Sequence, residues 1–109
     1  MGEEGMSSTL MSITGIELCE QEHVPRTILV ELVVHEIAQP LEGSSTRDWV
    51  FDVTSAQWLR RAIRLQRDLD IDWVAVAMLI DLLRERERLH IENSSLRQRL
   101  ERFLIGDGD

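Results

Sequence analysis

Leu82, Leu89, Leu96 and Phe103 fall seven residues apart. A seven-residue apolar repeat held over three heptads demands a long helix packed lengthwise against another, because a narrow seam returns to one side at that period. Arg86, Asn93 and Leu100 stand four residues beyond the three leucines, at the alternate positions of the seam. The shorter helices expected ahead of this arm have one another to pack against. The stripe is left for a second copy, so Leu82, Leu89, Leu96 and Phe103 are the expected homodimer interface. Gly106 is expected to end the helix, with residues 106–109 as a tail.

Upstream of the arm, short elements alternate with turn signals. Residues 1–11 read as a loose N-terminal tail. Ile13, Ile16 and Cys19 recur at helical spacing, which predicts a short helix from Ile13 to about Glu22. "HVPRT" is the turn, and Pro25 suits a first helical position, where its missing N–H is not needed. Two periods compete from Pro25 to Ile37. Leu29, Leu32, Val33 and Ile37 make one helical face, whereas Ile28, Val30, Leu32 and Val34 alternate as a strand would. Two glutamates and the length of the run before Pro40 favour a helix.

"PLEGSSTRD" (Pro40–Asp48) is a loop and "WVFD" (Trp49–Asp52) a short β-type run, together a hairpin or wing. "TSAQ" (Thr54–Gln57) has the Thr-x-x-Gln pattern of a capping box. Leu59, Ala62, Ile63, Gln66 and Leu69 carry that helix on, with Arg60, Arg61, Arg64 and Arg67 mostly outward. Asp72 is a good N-cap for the next helix. Almost every residue from Trp73 to Leu83 is apolar, which predicts packing on more than one side. The fold class is therefore mainly α: a winged helix-turn-helix with a short hairpin or wing and a long C-terminal coiled-coil-like helix. It divides into a tail (1–11), a helix-turn-helix and wing region (12–72), a helical arm (73–105) and a final tail (106–109), one domain overall.

Charge separates the functions open to such a fold. The net charge is −8. Residues 1–52 hold ten acids against Arg26 and Arg47, while residues 53–109 hold ten acids and ten arginines. The whole excess lies in the half that should read DNA. A phosphate backbone is bound through Lys and Arg, and this surface repels it. Between Thr27 and Pro40 there is no Lys or Arg, and Glu31 and Glu36 are present. With Leu29, Leu32, Val33 and Ile37 turned into the core, Val30 and Val34 are left on another face beside Glu31 and His35. Exposed apolar residues next to acids describe a protein-docking surface.

Other classes find little support. Catalysis needs converging titratable groups, and the chain has three scattered histidines, no Tyr and no glycine-rich phosphate loop, so no enzyme and no cofactor is expected. Cys19 and His23 share a helix face but are too few for a zinc site, so no metal is expected. A single cysteine excludes an internal disulfide and fits a reducing compartment. "MGEEGMSSTLM" lacks the basic and apolar regions of a signal peptide, and no run approaches the length of a membrane span. The expected location is the cytoplasm, with no membrane contact.

Several of these stretches carry a resemblance. "ELC" (Glu17–Cys19), Pro40, "WVFD", "RRAIRL" (Arg60–Leu65), "LDIDW" (Leu69–Trp73) and "LRQRLERF" (Leu96–Phe103) together resemble the CbpM chaperone-modulator family, whose members are similar to stripped-down MerR regulators. The resemblance is strongest from Trp49 to Phe103. It implies a MerR-like fold, dimer formation, and a non-enzymatic inhibitor that binds the J-domain of CbpA, a DnaJ-like co-chaperone, and blocks its stimulation of Hsp70. It also implies a basic helix on the J-domain as the docking target, which an acidic competitor would steer towards. Val30, Glu31, Val34, His35 and Glu36, with Glu20 as an outer acid, are the expected partner contacts. The rival reading is a MerR-type DNA-binding transcription regulator. Base readout calls for Arg, Lys, Asn or Gln on the second helix, and that helix offers only Arg26 at its start.

Overall fold

The structure, a computed structural model, describes residues 12–107; the expected tail over residues 1–11 lies outside them. The chain begins with a strand, β1 (Ser12–Thr14), paired antiparallel with β2 (Val50–Asp52), Ile13 opposite Phe51. The first helix, α1 (Gly15–Glu22), therefore starts later than the Ile13 periodicity predicts. Thr14 sets the boundary. Its Oγ1 accepts from the Glu17 N–H at 3.1 Å while the Glu17 carboxylate accepts from the Thr14 N–H at 3.4 Å. This capping box holds Thr14 extended, which leaves Ile13 in the sheet. Gly15 admits no side chain, since a Cβ there would lie 2.7 Å from Leu29 Cδ1 and 3.3 Å from the Phe51 ring.

His23 closes α1 in the left-handed region (φ 58°), and the Val24 N–H donates to the Cys19 carbonyl. The second helix, α2 (Thr27–Val34), is shorter than the Pro25–Ile37 expected. Ile37 reaches the core by another route. Glu36 turns left-handed (φ 59°), its N–H donates to Val33 O, and the Ile37 N–H donates to Leu32 O at 2.9 Å. That closure folds Ile37 back beneath the helix next to Leu32, as the apolar contact of such a cap requires.

The wing is smaller than a hairpin. Val50 and Leu41–Glu42 exchange backbone bonds of 2.7 and 3.1 Å in one isolated bridge. The main partner of β2 is β1, which no local turn signal announces. The third helix, α3 (Val53–Leu69), is capped by Asp52, whose Oδ1 accepts from the Ser55 N–H at 2.6 Å. The expected capping box at Thr54–Gln57 does not form, because Thr54 already lies inside the helix. Leu59, Ala62 and Ile63 are buried, while Leu69 is exposed in the last turn before Asp70.

Asp72 caps the arm as expected, accepting from the Ala75 N–H at 2.9 Å. The arm, α4 (Trp73–Asp107), is one continuous helix that passes through Gly106. At 1.5 Å per residue it runs about 50 Å. It packs on one side only: Val76 and Ile80 are buried, but Val74, Met78 and Leu82 face outward. The expectation of packing on several sides between Trp73 and Leu83 is thus corrected, since α3 covers a single face. Leu18, Leu29, Leu32, Ile37, Phe51, Leu59, Ile63, Val76 and Ile80 form the core, each worth roughly 1.5–3 kcal/mol of burial. Trp49, Trp58 and Trp73 anchor its edge, half-buried. No described helix is long and apolar enough to cross a membrane.

Candidate functional site: the outer face of α2 and the wing cleft

The short length of α2 fixes which residues it can bury. Leu29 and Leu32 take the inner side and are fully covered. Val30 and Val34, one turn apart, stay outside at 43% and 66% exposure. Beside them, Glu31 Oε2 lies 3.3 Å from His35 Nε2, an ion pair whenever His35 carries its proton. Glu36 follows in its left-handed turn with an exposed side chain. The structure therefore brings Val30, Glu31, Val34, His35 and Glu36 together on one ridge. Glu20 is exposed on α1 and has no hydrogen bond or ion pair to any of them.

The ridge does not stand alone. A cleft of about 260 Å³ opens between α2 and the wing, lined by Arg26, Thr27, Val30, Thr46 and Arg47. Val30 thus belongs to both surfaces: acids flank it on the helix, and two arginines flank it in the cleft. The wing side is held in shape by Asp48, whose Oδ1 accepts from the Ser45 N–H at 3.0 Å. That backbone bond keeps its carboxyl below the usual carboxylate range. Thr46 and Arg47 carry no sequence signal that would place them opposite α2; only the bridge at Glu42–Val50 does so.

Cys19 and His23 do not converge. Burial pushes the Cys19 thiol above its ordinary value, opposed in part by the charge of Arg26. His23 is exposed at the end of α1. Cys19 is a small core residue, and among the described residues no group of three or more His, Cys, Asp and Glu is placed to hold a metal.

Comparison with known proteins bears on what this surface serves. Residues 13–98 match the MerR HTH family regulatory protein model. The chain is 40% identical over 99 residues to the Chaperone modulatory protein CbpM of Pseudomonas putida (strain GB-1), covering 90% of this chain and 97% of that protein. It is 39% identical to the Chaperone modulatory protein CbpM of Pseudomonas entomophila (strain L48), with the same coverage. The Citrobacter koseri protein of that name is 37% identical over 99 residues, covering 91% of this chain and 97% of its own. With the helix-turn-helix, the wing bridge and the long arm all in place over that span, the chain belongs to the CbpM chaperone-modulator family, built on a MerR-type helix-turn-helix.

Proposed function

We propose that this protein is a chaperone modulator that binds the J-domain of a DnaJ-like co-chaperone, of the CbpA kind, and inhibits its stimulation of Hsp70. The α2 ridge is the contact. What carries the reading is the pair Val30 and Val34, left exposed beside Glu31 and Glu36 at the position where a helix-turn-helix would present its reading helix. The names of the relatives describe modulators of chaperones. Acids on the ridge steer a basic partner and orient it, while the two valines supply apolar area once it has docked. Glu20 is an outer acid that adds to the field without touching the ridge. The protein acts in the cytoplasm, where its co-chaperone is made.

The same surface argues against the DNA-binding alternative. α2 presents no Arg, Lys, Asn or Gln for base edges after Arg26, and Glu31 and Glu36 would face phosphate. The arm is the second half of the reading: Leu82, Leu89, Leu96 and Phe103 form a homodimer seam, which doubles the ridge.

The experiment is a binding titration of the purified protein against an isolated J-domain and, in parallel, against random duplex DNA, each at two salt concentrations. Saturable J-domain binding without DNA binding supports the modulator. DNA binding without J-domain binding overturns it in favour of a transcription regulator.

A further inference from the structure

A second surface, built by α3 and α4, shares no residue with the α2 ridge or the wing cleft. α3 places Arg60, Arg61, Arg64 and Arg67 within eight residues, in a protein whose net charge is −8. Between α3 and α4 lie two adjoining cavities. One, of about 290 Å³, includes Thr54, Gln57, Trp58, Arg61 and Arg64. The other, of about 320 Å³, is lined by Arg61, Leu83, Arg86, Glu87 and His90. Arg61 and Glu87 border both, so the two make one trough.

The chemistry of the trough is specific. Its floor is apolar, from Trp58 and Leu83. Two guanidiniums crowd the same indole, Arg61 at 4.8 Å and Arg84 at 5.3 Å from the ring centroid. Arg84 donates to the Ile37 carbonyl and forms an ion pair with Asp81, 3.9 Å away. Beyond the indole, Arg61 has Glu87, 3.7 Å away, as its one ion-pair partner among the described residues, and both side chains are more than half exposed. A pair so open contributes little and yields readily to a better-placed carboxylate. Arg86 and His90 have no ion-pair partner among the described residues. The walls thus offer several cationic and neutral donors over an apolar floor, a combination that recognises anions attached to apolar groups.

A nucleic acid fits this badly. Glu87 interrupts the row of arginines at its midpoint and Glu22 sits behind Arg60 and Arg64, so an evenly spaced phosphate line would meet carboxylates as well as guanidiniums. A peptide can place carboxylates on either side of Glu87 and an apolar side chain between them. We propose that this trough binds an acidic peptide segment of a partner protein, with carboxylates at Arg61–Arg64 and at Arg86–His90 and an apolar side chain on Trp58 and Leu83.

The test follows the side-chain N–H signals of Trp58, Arg61 and Arg86 by NMR in the full chain as a capped peptide, acetyl-Glu-Glu-Leu-Leu-Glu-Glu-amide, is added. Saturable shifts at these signals are expected, with a dissociation constant on the order of 100 μM, as suits a small exposed site. The double variant Arg61→Glu/Arg86→Glu weakens the peptide at least about tenfold, and added salt weakens it for the intact chain. Arg88→Glu, the same charge change on α4 outside the trough, leaves it unaltered. Absence of saturable shifts up to millimolar peptide overturns the proposal, as does an equal loss in Arg88→Glu. Displacement of the peptide by random duplex DNA would assign the trough to nucleic acid instead. Shifts that follow protein concentration without peptide would assign it to the apolar C-terminal end of a second copy. J-domain binding by the trough variants is unchanged whichever outcome holds, so this site and the α2 ridge fail separately.

Discussion

The carboxylate of Glu22 lies 3.5 Å from Arg64 Nε. It is also 3.7 Å from Arg60 Nε, and Arg67 donates to the Glu22 backbone carbonyl at 2.8 Å. Three arginines of α3 thereby tie down the end of α1, two of them through a side chain only 9% exposed and the third through its backbone. Removing this one carboxylate leaves two adjacent guanidiniums without a counter-charge. Glu22→Ala should lower the unfolding free energy by about 1–2 kcal/mol, discounted from the cost of breaking a buried pair because Arg64 is 61% exposed. Urea unfolding checks this. A shifted midpoint at constant slope is expected, and an unmoved midpoint would show that the cluster is ornamental.

Three non-glycine residues, His23, Glu36 and Asp70, hold left-handed backbone at helix ends. Glycine takes that conformation without steric cost. His23→Gly and Asp70→Gly should each raise stability by about 0.5–1 kcal/mol, a gain moderated by the freer unfolded chain. Gly43 is the reverse case. At φ 109°, a Cβ would lie 2.4 Å from the Asp48 carbonyl oxygen, so Gly43→Ala should cost roughly 1–3 kcal/mol and open the bridge at Glu42–Val50. Thermal unfolding of the three variants separates the two signs.

What the sequence revealed followed from period, and what it hid followed from topology. The core face of α2 was legible because Leu29 and Leu32 recur with helical spacing, and so was the long arm; Ile37, read on the same face, lies beyond the helix and enters the core through the turn at Glu36. The pairing of Ile13 with Phe51 was not, because a three-residue strand has no measurable period and its partner lies nearly forty residues away. The cap of α3 was misplaced by two residues for a related reason: the Thr-x-x-Gln pattern points to Thr54, and the end of β2 gives the position to Asp52 instead. The ridge residues were legible as a set, but the cleft facing Val30 was not, since Arg26 and Arg47 meet only through the wing.

Cys19 gives a test of the core by chemistry. Burial holds its thiol above the ordinary thiol range, so the neutral form is favoured in the folded state. A raised folded value adds stability that is fully present below the unfolded thiol value, near 8.5, and is lost as pH rises through the folded one. The urea midpoint should therefore fall as pH rises above about 8. Native alkylation should also be at least about a hundredfold slower than in urea, because the reagent meets the thiolate only after unfolding. Rapid modification of the native protein at neutral pH would contradict the placement of Cys19 in the core.

Under the J-domain contact proposed for the α2 ridge, charge and apolar area should act on different rates. Glu31→Lys/Glu36→Lys should slow J-domain association about tenfold or more at low salt, with the difference shrinking as salt rises. Val30→Ala/Val34→Ala should instead speed dissociation, because those side chains meet the partner only after docking. Stopped-flow association and dissociation with an isolated J-domain resolve the two. An inhibition constant unchanged in both double variants would remove α2 from the interface.

The arm makes the last prediction. From Glu85 to Ile105 every side chain is exposed, and Leu89, Leu96 and Phe103 are 49%, 60% and 64% so. Ion pairs such as Arg88 with Glu85 and Glu92 stabilise such a helix by only a few tenths of a kcal/mol each. Most of a helix's stability in a protein comes from packing of its apolar face, and this stretch has no such packing within the chain. A partner along the seam resolves the difficulty, because each leucine it covers adds roughly 1.5–3 kcal/mol. Asn93 at an alternate seam position lowers that total while restricting the register in which two arms can meet. Leu89→Glu/Leu96→Glu should therefore convert a dimer to a monomer by sedimentation equilibrium. The helical circular dichroism signal should fall as the arm frays, while the core around Phe51 stays folded. Loss of helicity without any change of mass would mean that the arm is covered within its own chain, and the seam would then have to be sought elsewhere on α4.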